Sequence, residues 1–171
     1  GKKLEEAGAD LVVLCTNTMH AACQQLEAEL HVPFIHIADA TGAEIRRQGL
    51  HKVGLMGTPF TMGQDFLKGR LREKFGIEVI VPAEERWQEI YRVIQEELTF
   101  GIRKDESRRW FLSVIEELRA QGAEGVILGC TEIPMLIKQS DTDLPVFDTT
   151  ALHAMAAVDL AEALERQDAA R

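Results

Sequence analysis

The 171-residue chain is 46% hydrophobic and 27% charged, the make-up of one ordinary soluble domain or two small ones that need no disulfides to hold a core. Its 28 acidic and 19 basic side chains leave a formal net charge of −9 with no Lys/Arg-rich block, which argues against nucleic acid and against an anionic membrane surface as partners. No apolar run approaches the roughly 20 residues of a membrane span. The three cysteines, Cys15, Cys23 and Cys130, form no CxxC pair, so neither a disulfide framework nor a zinc ribbon is expected, and their usage suits a reducing compartment such as the cytoplasm.

The chain opens Gly1-Lys2-Lys3-Leu4, without Met and already in a helix-like pattern, which reads as a truncated or processed start. Leu11–Leu14 is the first buried-strand candidate, followed by a helical pattern over 18–30 and a second apolar run at Phe34–Ile37. A helix over 39–48, a strand at Val53–Met56, a helix over 62–75 and a strand at Ile77–Val81 come next. Two charged amphipathic helices, 84–100 and 105–121, precede a strand at Val126–Leu128, a short helix over 132–138, a strand at Val146–Phe147 and a last helix over 150–165. Continuous apolar strands alternating with helices predict parallel sheets covered on both faces. Gly, Pro, Asn, Asp and Thr sit at the junctions, where turns and helix caps need them. The charged helices read as solvated faces, with Trp87, Tyr91, Trp110 and Phe111 as core or interface anchors.

The block from Gly8 to Thr18 echoes the block from Gly122 to Glu132 at one constant offset: helix end, strand, polar turn, helix start. A second echo follows, Val32-Pro33-Phe34-Ile35 beside Leu144-Pro145-Val146-Phe147. Parallel α/β units share this look in general. The sharper reading is a duplicated unit whose two polar turns face each other across one cleft, because ligands in such sheets bind beyond the carboxyl ends of the strands.

Chemistry is therefore sought in those turns. Cys130 follows a strand directly and opens a short helix, a place where free N–H groups and the helix dipole stabilise a thiolate. Thr16, Asn17 and Thr18 are helix-cap types that can also hold a carboxylate. The echo sets Thr16 opposite Cys130 and Cys15 opposite Gly129, which makes Cys15 a structural or near-site thiol; Cys23 reads as core. Glu132 orients Cys130 or a substrate amine, or is only a dipole partner. His20 is placed to assist, whereas His36, His51 and His153 lack ligand spacing, and no metal site is expected.

Thr16-Asn17-Thr18-Met19-His20 and Gly129-Cys130-Thr131-Glu132 resemble the two signature turns of the aspartate/glutamate racemase family, a Cys-Asn-Thr-x-His turn and a Gly-Cys-Thr-Glu turn. The second is complete, and the first has Thr for its leading Cys. Gly57-Thr58 and Phe147-Asp148-Thr149 are similar to the family's as well, and the strings around Thr16 and Asp39 resemble a subgroup of broad-specificity amino-acid racemases. The resemblance implies an α/β fold of two pseudo-symmetric parallel-sheet halves with the active site between them: residues 1–38 plus 146–171 in one half, lacking the strand and helix with which family members begin, and 39–145 in the other. It implies a cofactor-independent racemase that inverts the α-carbon of an amino acid, one thiolate removing the α-proton and a group on the opposite face returning one. Cys130 and Thr16 are then the catalytic positions, with Asn17, Thr18, Thr58, Thr131, Glu132 and His20 binding substrate. A homodimer with a small amino-acid substrate and no cofactor is implied too. A single-thiol isomerase or decarboxylase of dicarboxylates, and an amino-acid-binding domain without chemistry, stay open beside it.

Overall fold

A computed structural model describes residues 1–169 of the chain. In chain order the elements are α1 (Lys2–Glu6), β1 (Val12–Val13), a 3-10 turn (Thr18–Ala22), α2 (Cys23–Glu29), β2 (Phe34–Ile35), α3 (Ile37–Arg47), β3 (Lys52–Met56), α4 (Pro59–Gly63), α5 (Phe66–Phe75), β4 (Glu78–Ile80), α6 (Glu84–Glu96), a 3-10 turn (Leu98–Phe100), α7 (Asp105–Ala120), β5 (Val126–Leu128), α8 (Ile133–Leu136), a 3-10 turn (Gln139–Asp141), β6 (Val146–Asp148) and α9 (Thr149–Ala169). Among the described residues no helix is long and apolar enough to cross a membrane.

Every strand pair is parallel. Four strands form one sheet in the order β4-β3-β5-β6, and β1 pairs with β2 in a second, two-stranded sheet. The α/β architecture with two parallel sheets is the one expected. The strand at Val146–Asp148 is hydrogen-bonded to Val126–Leu128 inside the larger sheet, so that sheet reaches past residue 145. Strand β6 runs straight into α9, and α9 packs on α3 and β2, so this segment belongs to both halves.

The four-stranded sheet has a core on each face because its residues alternate. Val53, Leu55, Ile127 and Phe147 point to the side covered by α3 and α5, where they meet Ala38, Ile45, Leu67 and Leu71. Met56, Val126 and Leu128 point the other way, onto Ile90, Val93, Phe111, Val114, Ile115 and Leu118 of α6 and α7. Each of the Val, Leu, Ile, Met and Phe side chains among them, fully withdrawn from water, contributes about 1.5–3 kcal/mol. Phe111 is a core anchor as expected, Trp87 packs beside that core while donating its indole N–H to the Pro82 carbonyl at 2.8 Å, and Tyr91 is exposed.

The smaller sheet is held by polar links. Glu5 accepts from the backbone N–H of His31 and Val32 at 2.8 and 2.9 Å, which pins α1 to the approach of β2. Arg70 of α5 forms paired bonds to Asp39 of α3 and to Glu27 of α2, so one guanidinium joins elements of both halves.

Gly54 sits in β3 where α7 comes closest: a Cβ there would lie 2.7 Å from Leu118 Cδ1. Gly54→Ala is therefore expected to lower stability in urea unfolding by about 1–3 kcal/mol, the cost of overpacking a filled core. An unchanged midpoint would mean that Leu118 can move aside freely.

Candidate active site

Strand β5 ends at Leu128, and Gly129 carries the chain across the end of β3. Its N–H donates to the Met56 carbonyl at 2.7 Å, and a Cβ at this position would fall 2.7 Å from Leu55 Cδ1. Gly57 meets it from the other side, where a Cβ would lie 3.0 Å from the Gly129 carbonyl oxygen. Two glycines thus let the ends of β3 and β5 touch, which sets Thr58 and Cys130 on one rim. Thr58 caps α4, its hydroxyl accepting from the Thr61 N–H at 3.3 Å.

Cys130 is half-buried, and its thiol donates to Glu132 Oε2 at 2.9 Å. Burial first, and then this bond to a carboxylate, push the thiol up to about 12. Glu132 itself is held below the usual carboxylate range: burial would raise it, but bonds from Cys130 and Thr131 outweigh that. The expectation of a thiolate favoured by a helix N-terminus is corrected here. Helix α8 is a single turn, Ile133–Leu136, and the carboxylate of its N-cap residue Glu132 is bonded to the sulfur. One short turn has little dipole to offer against an adjacent full negative charge, so the resting group is a thiol.

The other turn leaves β1 at Val13. Asn17 is only 4% exposed and does not cap the helix that follows. Its Nδ2 reaches across to donate to Thr149 Oγ1 at 3.0 Å, and Thr149 donates in turn to the Leu128 carbonyl at 3.0 Å. This relay bolts the turn after β1 to the end of β5. Asn17 Oδ1 is buried with no partner among the described residues.

Between the turns lies a cavity of about 220 Å³. Cys15, Thr16, Asn17 and Thr18 line one side, and Gly129, Cys130, Thr131, Glu132 and Thr58 the other. A third wall comes from Ile94, Gln95 and Thr99, at the end of α6. The volume is below the roughly 300–1,000 Å³ of pockets for drug-sized ligands and suits a molecule the size of an amino acid. The third wall escaped the sequence reading because Gln95 and Thr99 continue a charged amphipathic pattern read as a solvated face. Thr149 lies in the Phe147-Asp148-Thr149 string, but nothing in that string discloses its bond to Asn17.

His20 is the residue expected at the site that the fold keeps away from this cavity. Its Nδ1 donates to the Thr16 carbonyl at 2.5 Å and its Nε2 accepts from the Ile37 N–H at 3.1 Å. Both ring nitrogens are taken up by backbone, so His20 supports the turn from behind. Its ring packs on His36 and His153, with centroids 4.5 and 5.6 Å away. Burial holds His20 down at about 4 and His36 at about 3. Behind them, between α2 and α5, a wider cleft of about 630 Å³ is lined by His20, Cys23, Arg70 and Lys74. Its Arg70 and Lys74 are engaged with Asp39 and Glu27, so it reads as an ion-pair seam.

Replacing Glu132 with Gln removes one of the two causes that raise Cys130. The alkylation rate of Cys130, followed by peptide-resolved mass spectrometry, is expected to rise at pH 8 and its pH profile to move down; an unmoved profile would mean the carboxylate has no hold on the thiol. The neutral histidines carry a second expectation. An unfolded chain binds protons at these residues near 6.5, while the folded one resists until about 4 for His20 and about 3 for His36. Their contribution to stability is thus complete above pH 6.5 and is lost as pH falls toward 4 and then 3. The urea midpoint should fall across that window, and a flat midpoint from pH 6.5 to 4 would contradict burial of neutral rings.

The sequence pattern of the Asp/Glu/Hydantoin racemase family matches residues 1–157. The fold is similar to that of a crystal structure from Yersinia pestis described as a candidate Asp/Glu racemase, with 50% identity, a TM-score of 0.88, and 93% of this chain and 69% of that one covered. An aspartate racemase homologue from Pyrococcus horikoshii gives 42% identity and a TM-score of 0.87, over 94% of this chain and 70% of that one. The broad specificity amino-acid racemase RacX of Bacillus subtilis is 26% identical over 91% of this chain and 66% of its own length. The chain thus spans about two thirds of the length of these relatives. With the family pattern matched over nearly all of its length, the chain belongs to the Asp/Glu/Hydantoin racemase family.

Proposed function

We propose that the protein is an amino-acid racemase that works without pyridoxal phosphate, with Cys130 as its thiol acid/base and Thr16 in the place of a second thiol. A homodimeric assembly belongs to the same reading. The observation that carries it is the small cavity lined by both polar turns, Cys130 on one and Thr16 on the other. Inversion of an α-carbon needs a proton carrier on each face, and two echoed turns supply two.

In this reading the α-carboxylate is held by hydroxyls and N–H groups of the turns, with Thr18, Thr58 and Thr131 as candidates. The α-ammonium goes to Glu132 and to the unpartnered Oδ1 of Asn17. That placement also addresses the resting thiol. A cation bound at Glu132 offsets the negative charge that keeps Cys130 protonated, so the ligand itself lowers the cost of forming the thiolate. The thiolate then takes the α-proton. On the other face Thr16 has a hydroxyl, a far weaker acid than a thiol and a poor base near neutral pH. Return there by Thr16 or by water is slow, so exchange is lopsided between enantiomers. A second reading, amino-acid binding without chemistry, draws on the same elevated thiol.

The test is α-proton exchange in deuterated water, followed by NMR on separate L- and D-amino acids. One enantiomer is expected to exchange faster, Cys130→Ala to lose about 10²–10⁴-fold, the span of general acid–base catalysis, and Thr16→Cys to raise racemisation. Bound substrate with no exchange would replace this reading with the binding domain, and a flat response to Thr16→Cys would remove Thr16 from the mechanism.

A further inference from the structure

The two turns of the cleft are held in place by different means. On the Cys130 side the anchor is the larger sheet: Gly129 donates to the Met56 carbonyl at 2.7 Å, and the Cys130 carbonyl accepts from the Ile133 N–H at 3.2 Å inside its own short turn. On the Thr16 side the anchor is a side chain. The Thr16 N–H closes locally onto the Leu14 carbonyl at 2.8 Å, and the Thr16 carbonyl is taken by the ring of His20.

His20 is a strut with two ends. Its Nε2 accepts from the backbone N–H of Ile37, at 3.1 Å, where α3 begins. A backbone amide can only donate, so Nε2 holds its lone pair and the one proton of the neutral ring sits on Nδ1. That N–H donates to the Thr16 carbonyl, 2.5 Å away. The tautomer selected by the amide at the start of α3 is therefore the one that Thr16 needs. The ring is 2% exposed, and His36, His153 and Phe34 pack around it with centroids 4.5, 5.6 and 6.0 Å away. Helix α3 covers one face of the larger sheet, so the strut refers Thr16 to the same body that carries Cys130.

We propose that His20 is a positioning residue for one face of the reaction: it exchanges no proton with the substrate, and through the Thr16 carbonyl it sets where the Thr16 hydroxyl stands against the α-carbon. The inference rests on the racemase reading and narrows its return step to Thr16. Cys130 keeps the proton it removes, Thr16 gives its hydroxyl proton to the opposite face, and water restores it. Abstraction at Cys130 does not depend on His20, whereas the return does. His20 thus governs inversion and leaves exchange on the Cys130 face alone.

Two substitutions separate the ends of the strut. An Asn amide sets its NH₂ near the place of Nδ1 and still donates to the Thr16 carbonyl; a Gln amide sets its oxygen near the place of Nε2, still accepts from Ile37, and releases Thr16. α-Proton exchange in deuterated water and conversion to the other enantiomer are measured side by side on L- and D-aspartate, for the chain, His20→Asn and His20→Gln. His20→Gln is expected to slow conversion by about 10–10²-fold, the cost of misplacing a reacting group by up to about 1 Å, while exchange of the enantiomer that Cys130 deprotonates is unchanged. His20→Asn is expected to keep conversion near that of the unsubstituted chain. A histidine-ring ¹⁵N spectrum of the unsubstituted chain, which depends on no variant, is expected to show His20 protonated at Nδ1. Equal loss of exchange and conversion in His20→Gln, conversion unmoved by it, faster conversion in His20→Gln than in His20→Asn, or a ring proton on Nε2 each overturns the inference. Bound aspartate with no exchange in the unsubstituted chain sinks the racemase reading and the role of His20 together. Exchange that stands beside any of the four contrary results overturns the role of His20 alone.

Discussion

One buried side chain decides whether the two turns meet. Asn17 reaches through Thr149 to the last carbonyl of β5, so the turn after β1, the start of α9 and the end of the larger sheet are joined by one relay. The distance in sequence from Asn17 to Thr149 is 132 residues, and no local rule could close it. Burying an amide is costly unless its polar atoms are satisfied. Here the donor side is satisfied by the fold and the acceptor side is left over, next to the cavity. The same residue therefore ties the walls of the cleft together and carries a buried acceptor beside it.

The electrostatics of the cleft follow from what surrounds it. Cys130 lies against a core of aliphatic side chains and beside one carboxylate, and both conditions favour the neutral thiol. A helix N-terminus would pull the other way, but α8 is too short to prevail. On the far side of the turn after β1, three buried histidines pack together and their ring nitrogens serve backbone groups: His20 between Thr16 and Ile37, His36 at the start of α3, His153 on the Ile35 carbonyl at 2.7 Å. The ring nitrogens of these three histidines are thus engaged with backbone and do not face the cavity between the turns.

Much of this was legible in the residues. Val126–Leu128 is a strand at the expected positions, Val53–Met56 gains one residue at its start, and the helices predicted over 39–48 and 105–121 appear at Ile37–Arg47 and Asp105–Ala120. Apolar runs bounded by turn residues give strong local signals. The internal echo carries the most information, because the two turns it relates line one cavity. What the chain did not disclose depends on tertiary context. The helix read over 62–75 is two helices with a break at Gln64 and Asp65, since Pro59 starts one early. Strand β6 belongs to the larger sheet although its echo partner β2 lies in the smaller one. His20 reads as a substrate ligand from its place in the motif, and only packing shows both its nitrogens in use. Gln95 and Thr99 line the cavity from a segment whose charged helix pattern hides them.

The central claim is that the two turns act as one site for an amino acid. Titrating L-aspartate into the ¹⁵N-labelled chain and following backbone amides by NMR tests it directly. The account predicts that the amides of Cys15, Thr16, Asn17 and Thr18 shift together with those of Gly129, Cys130, Thr131 and Glu132 along one binding isotherm. Shifts confined to one turn, or two turns that titrate with different midpoints, would contradict it.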